Sequence, residues 1–548
     1  MSVQSPPAVR APGRAIAARA SRRRMARAPG ASGARRWPDS AELALLGALA
    51  AISMWIVAVD LAHAAARGLV WTGTDGFFIV DQMQYLAWIQ GAAHHLLSSN
   101  LFVLRPTPSD YLQPAIELSA ALTALGMAPW LSLLLWKPVA VVAIFAASRA
   151  VVHRTLSARA DRRAALALAL AFGSFSVVYG SFGIVGDMMP TWLSWGYPFA
   201  LLAVAALAWG LVRYERARAR RGWEWGAGAL GALASALHPW QGETMVLIIL
   251  AAELWRWRDW RALAPAHRRR ALALPATTLV LTGAPLLYYL LLGRLDASWA
   301  LARDASKHGF SLGSIALAAA PLAIPALLGY RGRPRGFLEL MLRLWAPVAL
   351  VIWLFSASGL SATPLHAFNG ITLPLSVLAV GGVRRSRLAS LPRARALGAL
   401  ALALGTIPAN AWAIATAGQF VDPAAGNANF IRPQESAALA FLARAPAAGG
   451  VLTQFYLGEA VPARTGRHTW VGDCLWSQPG CMPRSIAADA LFEGADRPAA
   501  ARAFVRASGA RFLLSSCSPQ DVPLASMLGS MVVSVRRFGC ATVYEVAR

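Results

Sequence analysis

Acidic and aromatic side chains suited to group transfer are concentrated in one polar segment near the start of the chain. Asp81 is followed four residues later by Tyr85, and Asp110 stands three residues before Gln113. A carboxylate within hydrogen-bond reach of a substrate proton can act as a general base. Helix capping is the alternative role for both aspartates, because aspartate suits the cap position.

The composition indicates what kind of scaffold must position these side chains. Of the 548 residues, 57% are hydrophobic and 14% are charged, and the mean hydropathy is +0.48. Soluble proteins carry about 25% charged residues, so the chain is typical of a polytopic α-helical membrane protein and not of a soluble enzyme, a disordered protein or a fibre. The net charge of +26 does not indicate nucleic-acid binding, because the arginines cluster in short segments between apolar runs.

The hydropathy pattern predicts about eleven transmembrane helices of about 20 residues each. They fall at about 41–63, 130–152, 164–185, 190–212, 223–238, 241–254, 271–293, 311–329, 336–358, 366–383 and 396–416. The fifth and sixth are short and are separated at His238-Pro239, where proline breaks the helix. Residues 1–38 carry nine arginines and no acidic residue, which favours a disordered cytoplasmic tail over a transit peptide.

The distribution of positive charge predicts the orientation. Segments assigned to the inside hold 32 arginines, whereas the outer loops between spans hold five Lys or Arg residues. The positive-inside rule therefore places the N-terminus in the cytoplasm, and an odd number of spans places the C-terminus outside. We predict a multi-pass protein of a bacterial inner (plasma) membrane. Its domains are the tail 1–38, a membrane domain 39–416 with outer loop 64–113, and an extracytoplasmic domain 417–548.

The C-terminal segment carries all four cysteines. An even number confined to one polar segment indicates disulfides and an oxidising compartment. Three connectivities are possible; proximity in sequence favours Cys474–Cys481 and Cys517–Cys540, and four free thiols are the alternative. The pattern also predicts a small α/β domain. Its helices begin at Pro433 and cover 498–507, and its strands cover 451–455, 511–515, 532–535 and 541–546.

Further ionisable side chains lie at predicted breaks and ends of apolar segments. Asp187 precedes a helix start, His238 and Glu243 flank the proline break, and His366 and Asn369 lie at the outer end of a late span. Ionisable residues at membrane depth are functional candidates by default, and these side chains could line one cavity. The structural alternatives are capping by Asp187 and a His238–Glu243 pair.

Basic side chains on the outer side are candidates for binding a phosphate. Arg105, Arg303, Lys307 and His308 lie outside in a chain that otherwise keeps its bases inside. Cations of this kind stabilise a departing phosphate. The alternatives are a lipid-headgroup anchor for Arg105 and solvated loop charges for the other three.

These features in this order resemble the GT-C superfamily of membrane glycosyltransferases, most closely the branch of protein O-mannosyltransferases and aminoarabinose transferases. The resemblance rests on Asp81 and Tyr85 in the first outer loop, on Tyr111-Leu-Gln113-Pro114, on Asp187 in the second outer loop and on the stretch 461–472. Gln82 stands where many members of the superfamily have a second acid.

The resemblance implies a glycosyltransferase that moves a sugar from a polyprenyl-phosphate-linked donor to an acceptor on the extracytoplasmic face. The acceptor is a lipid, a polysaccharide or a protein, and neither a cofactor nor a metal is expected. The catalytic candidates are Asp81, Asp187 and Asp110. The substrate-binding candidates are Tyr85, Arg105, Gln113, His238, Glu243, Arg303, Lys307 and His366.

Two other functions fit the same membrane architecture. One is a transporter or flippase of lipid-linked saccharides without chemistry, and the other is a scaffold that presents the C-terminal segment. Internal repeats would favour a transporter, and we find none in the sequence. The long, acid-bearing first outer loop favours the enzyme.

Overall fold

A computed structural model describes residues 37–76, 78–174, 188–220, 224–258, 265–307, 311–357, 364–421 and 427–547. Leu45–Arg548 form one compact unit, and Met1–Ala44 form another. Within the described end of the N-terminal unit, Asp39 caps the first helix. Its carboxylate accepts backbone N–H bonds from Ala41 and Glu42, each at 3.1 Å.

Helices account for most of the chain before residue 421. They are α1 Ser40–Arg67, α2 Ile79–His95, α3 Pro114–Ala124, α4 Pro129–Leu134, α5 Trp136–Thr155, α6 Arg159–Ala171, α7 Pro190–Gly196, α8 Pro198–Arg220, α9 Gly226–Leu237, α10 Pro239–Trp255, α11 Pro265–Leu295, α12 Ala297–Ala305, α13 Leu312–Leu327, α14 Phe337–Ala357, α15 Thr372–Arg385 and α16 Ala394–Phe420.

In the described part of the chain, eight helical segments are long and apolar enough to cross a membrane. They are α1, α4 continued by α5, α8, α11, α13, α14, α15 with the short turn before it, and α16. Seven of the eight coincide with a predicted span, and α8 overlaps only part of the span predicted over 190–212. The other three predicted spans correspond to the shorter helices α6, α9 and α10, and the end of the first of these, 175–185, lies outside the described residues. The count of eleven stays a prediction.

Two helix breaks occur directly before a proline. Tyr197 has φ −124° and ψ 61° and separates α7 from α8, so the single span predicted over 190–212 is wrong. The residue before a proline is sterically excluded from the helical region, and Pro198 has no N–H to donate. His238, with φ −158° and ψ 102°, separates α9 from α10 in the same way, which confirms the predicted break.

The first outer loop contains α2 and leads into α3, and it is joined to the C-terminal segment. Strand β1 (Val70–Trp71) pairs antiparallel with β2 (Phe430–Ile431). Farther along the loop, the Leu101 carbonyl accepts a hydrogen bond from Thr469 N at 2.8 Å. The Phe102 carbonyl accepts one from the Ser477 hydroxyl at 3.0 Å. These bonds hold the first outer loop against the C-terminal segment, although the two are far apart in the sequence.

The C-terminal segment has the predicted α/β character. Its helices are α17 Pro433–Arg444, α18 Phe455–Thr465, α19 Cys481–Phe492, α20 Pro498–Ser508 and α21 Leu524–Leu528, and its strands are β3 Val451–Thr453, β4 Phe512–Ser515, β5 Val532–Phe538 and β6 Ala541–Val546. The strand order is β3-β4-β6-β5, with only the β3–β4 pair parallel. The predicted strand 451–455 was too long, because α18 begins at Phe455.

Apolar side chains alternate along the central strands and form a core on each face of this sheet. Leu513 and Tyr544 belong to one core, and Phe512 and Val543 belong to the other. Both expected disulfides are present, Cys474–Cys481 and Cys517–Cys540, with Cα–Cα distances of 5.2 and 4.9 Å. The sequence prediction of the pairing is confirmed.

A buried ion pair joins the outer loop to the membrane helices. The Lys137 ammonium group contacts the Asp75 carboxylate, and both side chains are 4% exposed. Lys137 also donates to the Trp195 carbonyl at 2.8 Å, and the Gln82 side-chain amide donates to Asp75. Because Gln82 follows Asp81, this pair fixes the beginning of α2.

We expect either Asp75→Asn or Lys137→Met alone to destabilise the protein by about 3–5 kcal/mol, since each leaves one buried charge without its partner. The double variant should recover at least about half of that loss. Thermal unfolding of the detergent-purified protein measures all three effects. Losses that simply add in the double variant would contradict the coupling.

Candidate functional site

Asp81 lies in the first turn of α2 and is half-buried. Its Oδ2 atom accepts a hydrogen bond from the Tyr197 hydroxyl at 2.7 Å. The cap position of α2 is Phe78, with a left-handed backbone at φ 57°, so Asp81 is not the capping residue. The ring of Phe78 lies 4.4 Å from that of Tyr197. The break before Pro198 therefore delivers a hydroxyl to the candidate base.

Two histidines from distant parts of the sequence continue this cluster. The ring of His366 lies 6.1 Å from Tyr197 and 4.7 Å from His238. The His238 Nδ1 atom contacts the side-chain carbonyl of Gln241, and the Gln241 amide donates to the His366 carbonyl at 3.1 Å. Trp240 packs edge-on against His366 at 4.7 Å. The structure thus brings Asp81, His238 and His366 together, and Tyr197 links them.

Asn369 also belongs to this cluster, because its side-chain oxygen accepts from the Gln241 amide at 3.4 Å. Glu243 lies one turn beyond the proline break and is half-buried. In the described part of the chain, no hydrogen bond joins Glu243 to His238, so the structural alternative of a His238–Glu243 pair is wrong. Gln241 takes the place of Glu243 because it is the residue three positions beyond His238, at the start of α10.

Aromatic side chains form a second wall next to Tyr85. Trp88 lies 4.4 Å from Tyr111, 5.8 Å from Trp299 and 5.4 Å from Trp476. Tyr85 itself lies 6.0 Å from Trp88. The four rings around Trp88 come from two outer-loop elements, from α12 and from the C-terminal segment. Aromatic faces of this kind pack well against apolar chains and sugar rings.

Asp473 supplies a second carboxyl group that the sequence analysis missed. It is 1% exposed, and its Oδ1 accepts from Leu475 N at 2.7 Å. Its Oδ2 is buried and has no hydrogen-bond partner among the described residues. Burial, and to a lesser extent the negative charge of Asp81, raise the pKa of Asp473 to about 8. Near pH 7 this group is therefore mainly a neutral acid beside an ionisable Asp81.

Glu459 on α18 is a third carboxyl group, and its charge interacts with that of Asp473. It is 5% exposed. Burial raises its pKa well above the usual range, and the charge of Asp473 raises it further. The carboxyl groups of Asp81, Asp473 and Glu459 cannot all carry charge at low cost, because like charges in a buried site repel one another.

The outer cations predicted to bind phosphate are partly neutralised. Arg303 and Lys307 both pair with Asp304, at 3.2 and 2.9 Å, and Arg303 also donates to the Gly293 carbonyl at 3.1 Å. Lys307 and Arg303 hold the pKa of the exposed Asp304 carboxyl below its usual value. Arg303 lies one turn beyond Trp299, so it is close to the aromatic wall.

The remaining outer-loop candidates have different surroundings. Arg105 is exposed, and its charge lowers the pKa of the neighbouring Arg484 guanidinium after the larger effect of burial. Gln113 caps α3: its side-chain oxygen accepts from Ala115 N and Ile116 N at 2.7 and 2.9 Å. That bonding leaves only the Gln113 amide NH₂ group for the predicted substrate contact.

Asp110 does not cap α3, because Gln113 holds that position. Its Oδ1 atom is buried and has no hydrogen-bond partner among the described residues. Burial and the charge of Asp296 raise the pKa of Asp110. Asp187 and His308 lie outside the described residues. Among those that are described, no three His, Cys, Asp or Glu side chains are grouped so that they could hold a metal ion.

The buried Asp473 gives a test based on pH. Its pKa is raised above the unfolded value of about 4, so the folded state binds an extra proton between about pH 4 and pH 8 and loses that stabilisation as the pH rises. We expect Asp473→Asn to raise the unfolding temperature relative to wild type by a few degrees more at pH 8 than at pH 5.

Asp304→Asn is the matched control for this measurement, because Asp304 is an exposed carboxylate with a lowered pKa. Its effect on the unfolding temperature should be the same at pH 5 and pH 8, since both values lie above its titration range. An Asp473→Asn effect that does not vary with pH would show that Asp473 is ionised in the folded protein.

The sequence matches no protein-family model and no curated protein, but solved structures share its fold. The archaeal oligosaccharyltransferase AglB from Archaeoglobus fulgidus, in complex with an inhibitory peptide and a dolichol-phosphate, matches with a TM-score of 0.52 and 13% identity, over 87% of this chain and 69% of that one. ArnT from Cupriavidus metallidurans, bound to undecaprenyl phosphate, matches with a TM-score of 0.50 and 15% identity, over 92% and 98%.

A further structure of the Archaeoglobus fulgidus oligosaccharyltransferase, tethered with an acceptor peptide containing the NVT sequon, matches with a TM-score of 0.52 and 13% identity, over 92% of this chain and 74% of that one. These neighbours are glycosyltransferases of the GT-C type. The similarity that the sequence indicated is therefore confirmed at the level of fold. The chain is a polytopic helical membrane protein with the GT-C fold.

Proposed function

We propose that the protein transfers a sugar from a polyprenyl-phosphate-linked donor to an acceptor on the extracytoplasmic face of the membrane. The observation that carries the proposal is the cluster of Asp81, Tyr197, His366 and His238 within a GT-C fold. In this cluster the Asp81 carboxylate of the first outer loop lies near three polar side chains. Tyr197 and His238 come from the two helix breaks, and His366 comes from the turn before α15.

Asp81 is the proposed general base. An acceptor hydroxyl or amine attacks the anomeric carbon of the donor, the bond from that carbon to the lipid phosphate breaks, and Asp81 takes the proton of the acceptor. The hydrogen bond from Tyr197 favours the ionised form of Asp81, which is the form a base needs. It also orients the carboxylate, since a base acts only within hydrogen-bond reach of its proton.

The donor side of the site needs positive charge or hydrogen-bond donors for the departing lipid phosphate. The buried His238 and the half-buried His366 are the inner candidates, and Arg105, Arg303 and Lys307 are the outer-surface candidates. Two of the structural neighbours contain a dolichol-phosphate and undecaprenyl phosphate, which supports a lipid phosphate as the leaving group. Asp110 and Asp187 remain the secondary catalytic candidates.

The location follows from the charge distribution and the disulfides. Disulfides persist in oxidising compartments, so Cys474–Cys481 and Cys517–Cys540 support a C-terminal segment outside a bacterial plasma membrane. The acceptor, which is a lipid, a polysaccharide or a protein, approaches from that side. The contact of Trp476 with Trp88 and the influence of Asp81 on Asp473 support a role for the C-terminal segment in acceptor binding.

We expect Asp81→Asn to lower sugar transfer by about 10²–10⁴-fold, since the amide cannot take the acceptor proton. Tyr197→Phe should lower transfer by about tenfold, because the carboxylate loses a charge-assisted hydrogen bond. Membranes containing each variant are supplied with labelled polyprenyl-phosphate sugars, and label is followed into lipid, polysaccharide and protein fractions.

Glu493→Gln is the control, because it removes an exposed carboxylate that the proposed site does not use, and it should keep transfer near the wild-type rate. Full transfer by correctly folded Asp81→Asn would move the base to Asp110 or Asp187. If wild type transfers no sugar from any donor but moves the lipid-linked saccharide across vesicles, the protein is a transporter.

Topology is tested separately with a membrane-impermeant thiol reagent on intact cells from which the outer layers have been removed. All four cysteines should stay unlabelled until a reductant is added, and all four should then react from outside. Labelling only after the membrane is broken would place the C-terminal segment in the cytoplasm.

A further inference from the structure

A groove of about 420 Å³ lies beside α2. Leu86 and Gln90 line it, and they lie about 140–180° around the helix from Asp81. It is therefore on the far side of α2 from the proposed catalytic cluster. Its full lining is Thr72, Leu86, Gln90, Ala128, Pro129, Trp130, Ala440, Ala443, Arg444, Ala463 and Arg464.

Arg464 gives the groove an unbalanced positive charge. The side chain is half-buried, and within the residues that the structure describes no carboxylate or hydrogen-bond acceptor pairs with it. Burial lowers the pKa of its guanidinium, because a charge taken out of water without a partner is costly. An anion in the groove would offset that cost.

The contrast with Arg467 shows that the lack of partners is particular to Arg464. Arg467 lies three residues farther along and donates to the carbonyls of Leu442, Ala445 and Ala447 at 2.7, 2.6 and 2.8 Å. With the Gly449 carbonyl at 2.9 Å, the backbone of the C-terminal segment accepts four hydrogen bonds from that guanidinium. Arg464 instead faces a space large enough for a ligand headgroup.

The position of the groove indicates which kind of ligand can enter it. Pro129 and Trp130 are the first residues of the span Pro129–Thr155, and Thr72 follows shortly after the end of α1 at Arg67. The opposite wall is made by the small apolar side chains of α17 and α18. The groove therefore lies where two membrane helices end, with one apolar wall and two cations, Arg464 and Arg444. Arg444 differs from Arg464 because its Nε donates to the Ala440 carbonyl at 3.1 Å.

We propose that this groove binds the phosphate headgroup of a membrane lipid, with the Arg464 guanidinium on the phosphate and the alanine wall against the adjoining chain. Guanidinium and phosphate match as a two-bond pair. An anionic phospholipid and a polyprenyl phosphate share this chemistry. The proposal does not depend on sugar transfer, because it concerns the opposite face of α2.

Native mass spectrometry of the full-length protein in detergent counts bound lipids and tests the proposal. The probes are phosphatidylglycerol, undecaprenyl phosphate and inorganic phosphate. We expect Arg464→Gln to weaken the tightest phosphatidylglycerol or undecaprenyl-phosphate adduct by about tenfold or more, the effect of losing one charge-assisted pair. The lipid that suffers this loss is the occupant.

Ala443→Trp is the second variant, since it fills the groove while leaving Arg464 in place, and it should weaken the same adduct. Arg506→Gln is the matched control, because Arg506 is exposed on α20 and does not line the groove. Unchanged lipid binding in folded Arg464→Gln would overturn the proposal. So would an equal loss in Arg506→Gln, or displacement of the lipid by inorganic phosphate at matching concentration.

Discussion

The exclusion of the residue before a proline from the helical region controls the geometry of the candidate site. Tyr197 and His238 each precede a proline, and each has an extended or intermediate backbone at the junction of two helices. A side chain at such a junction does not follow the helical spacing of either neighbouring helix. Tyr197 can therefore reach Asp81, and His238 can face His366, although all four residues come from different elements.

The other side of the site depends on how firmly the first outer loop is held. Asp75 is buried against Lys137 and Gln82, and Asn429 donates to Asp60 at 2.6 Å. These contacts join α1, α5, the beginning of α2 and the C-terminal segment. A loop of this length would otherwise be mobile, and a base on a mobile loop would not keep hydrogen-bond geometry.

The sequence predicted the helices and strands more accurately than the contacts between them. The His238-Pro239 dipeptide predicted one of the two helix breaks. The same proline signal was present at Pro198 and was overlooked, because the apolar run over 190–212 favoured a single span. Tyr197 was missed for that reason.

Asp473 shows a different kind of omission. It follows Gly472 in a polar segment and precedes Cys474, so nothing local distinguishes it from a surface aspartate. The nearby Trp476 packs against Trp88 and Trp299, and the contact with Trp88 joins positions nearly 400 residues apart. Hydropathy and local spacing contain no information about contacts of that kind. The disulfide pairing could be predicted because each pair is short in sequence.

The unequal environments of Asp81 and Asp473 suit the proposed reaction, in which one site holds both a base and an anionic donor. Asp81 is half-buried and receives a hydroxyl hydrogen bond, which stabilises its charge. Asp473 is buried with one unpartnered oxygen, and burial keeps it protonated to about pH 8. Two ionised carboxylates here would repel the lipid phosphate that the proposed reaction brings in. A neutral Asp473 leaves one negative charge, on Asp81, which is the proposed base. The two side chains are chemically identical, so only their surroundings give them different roles.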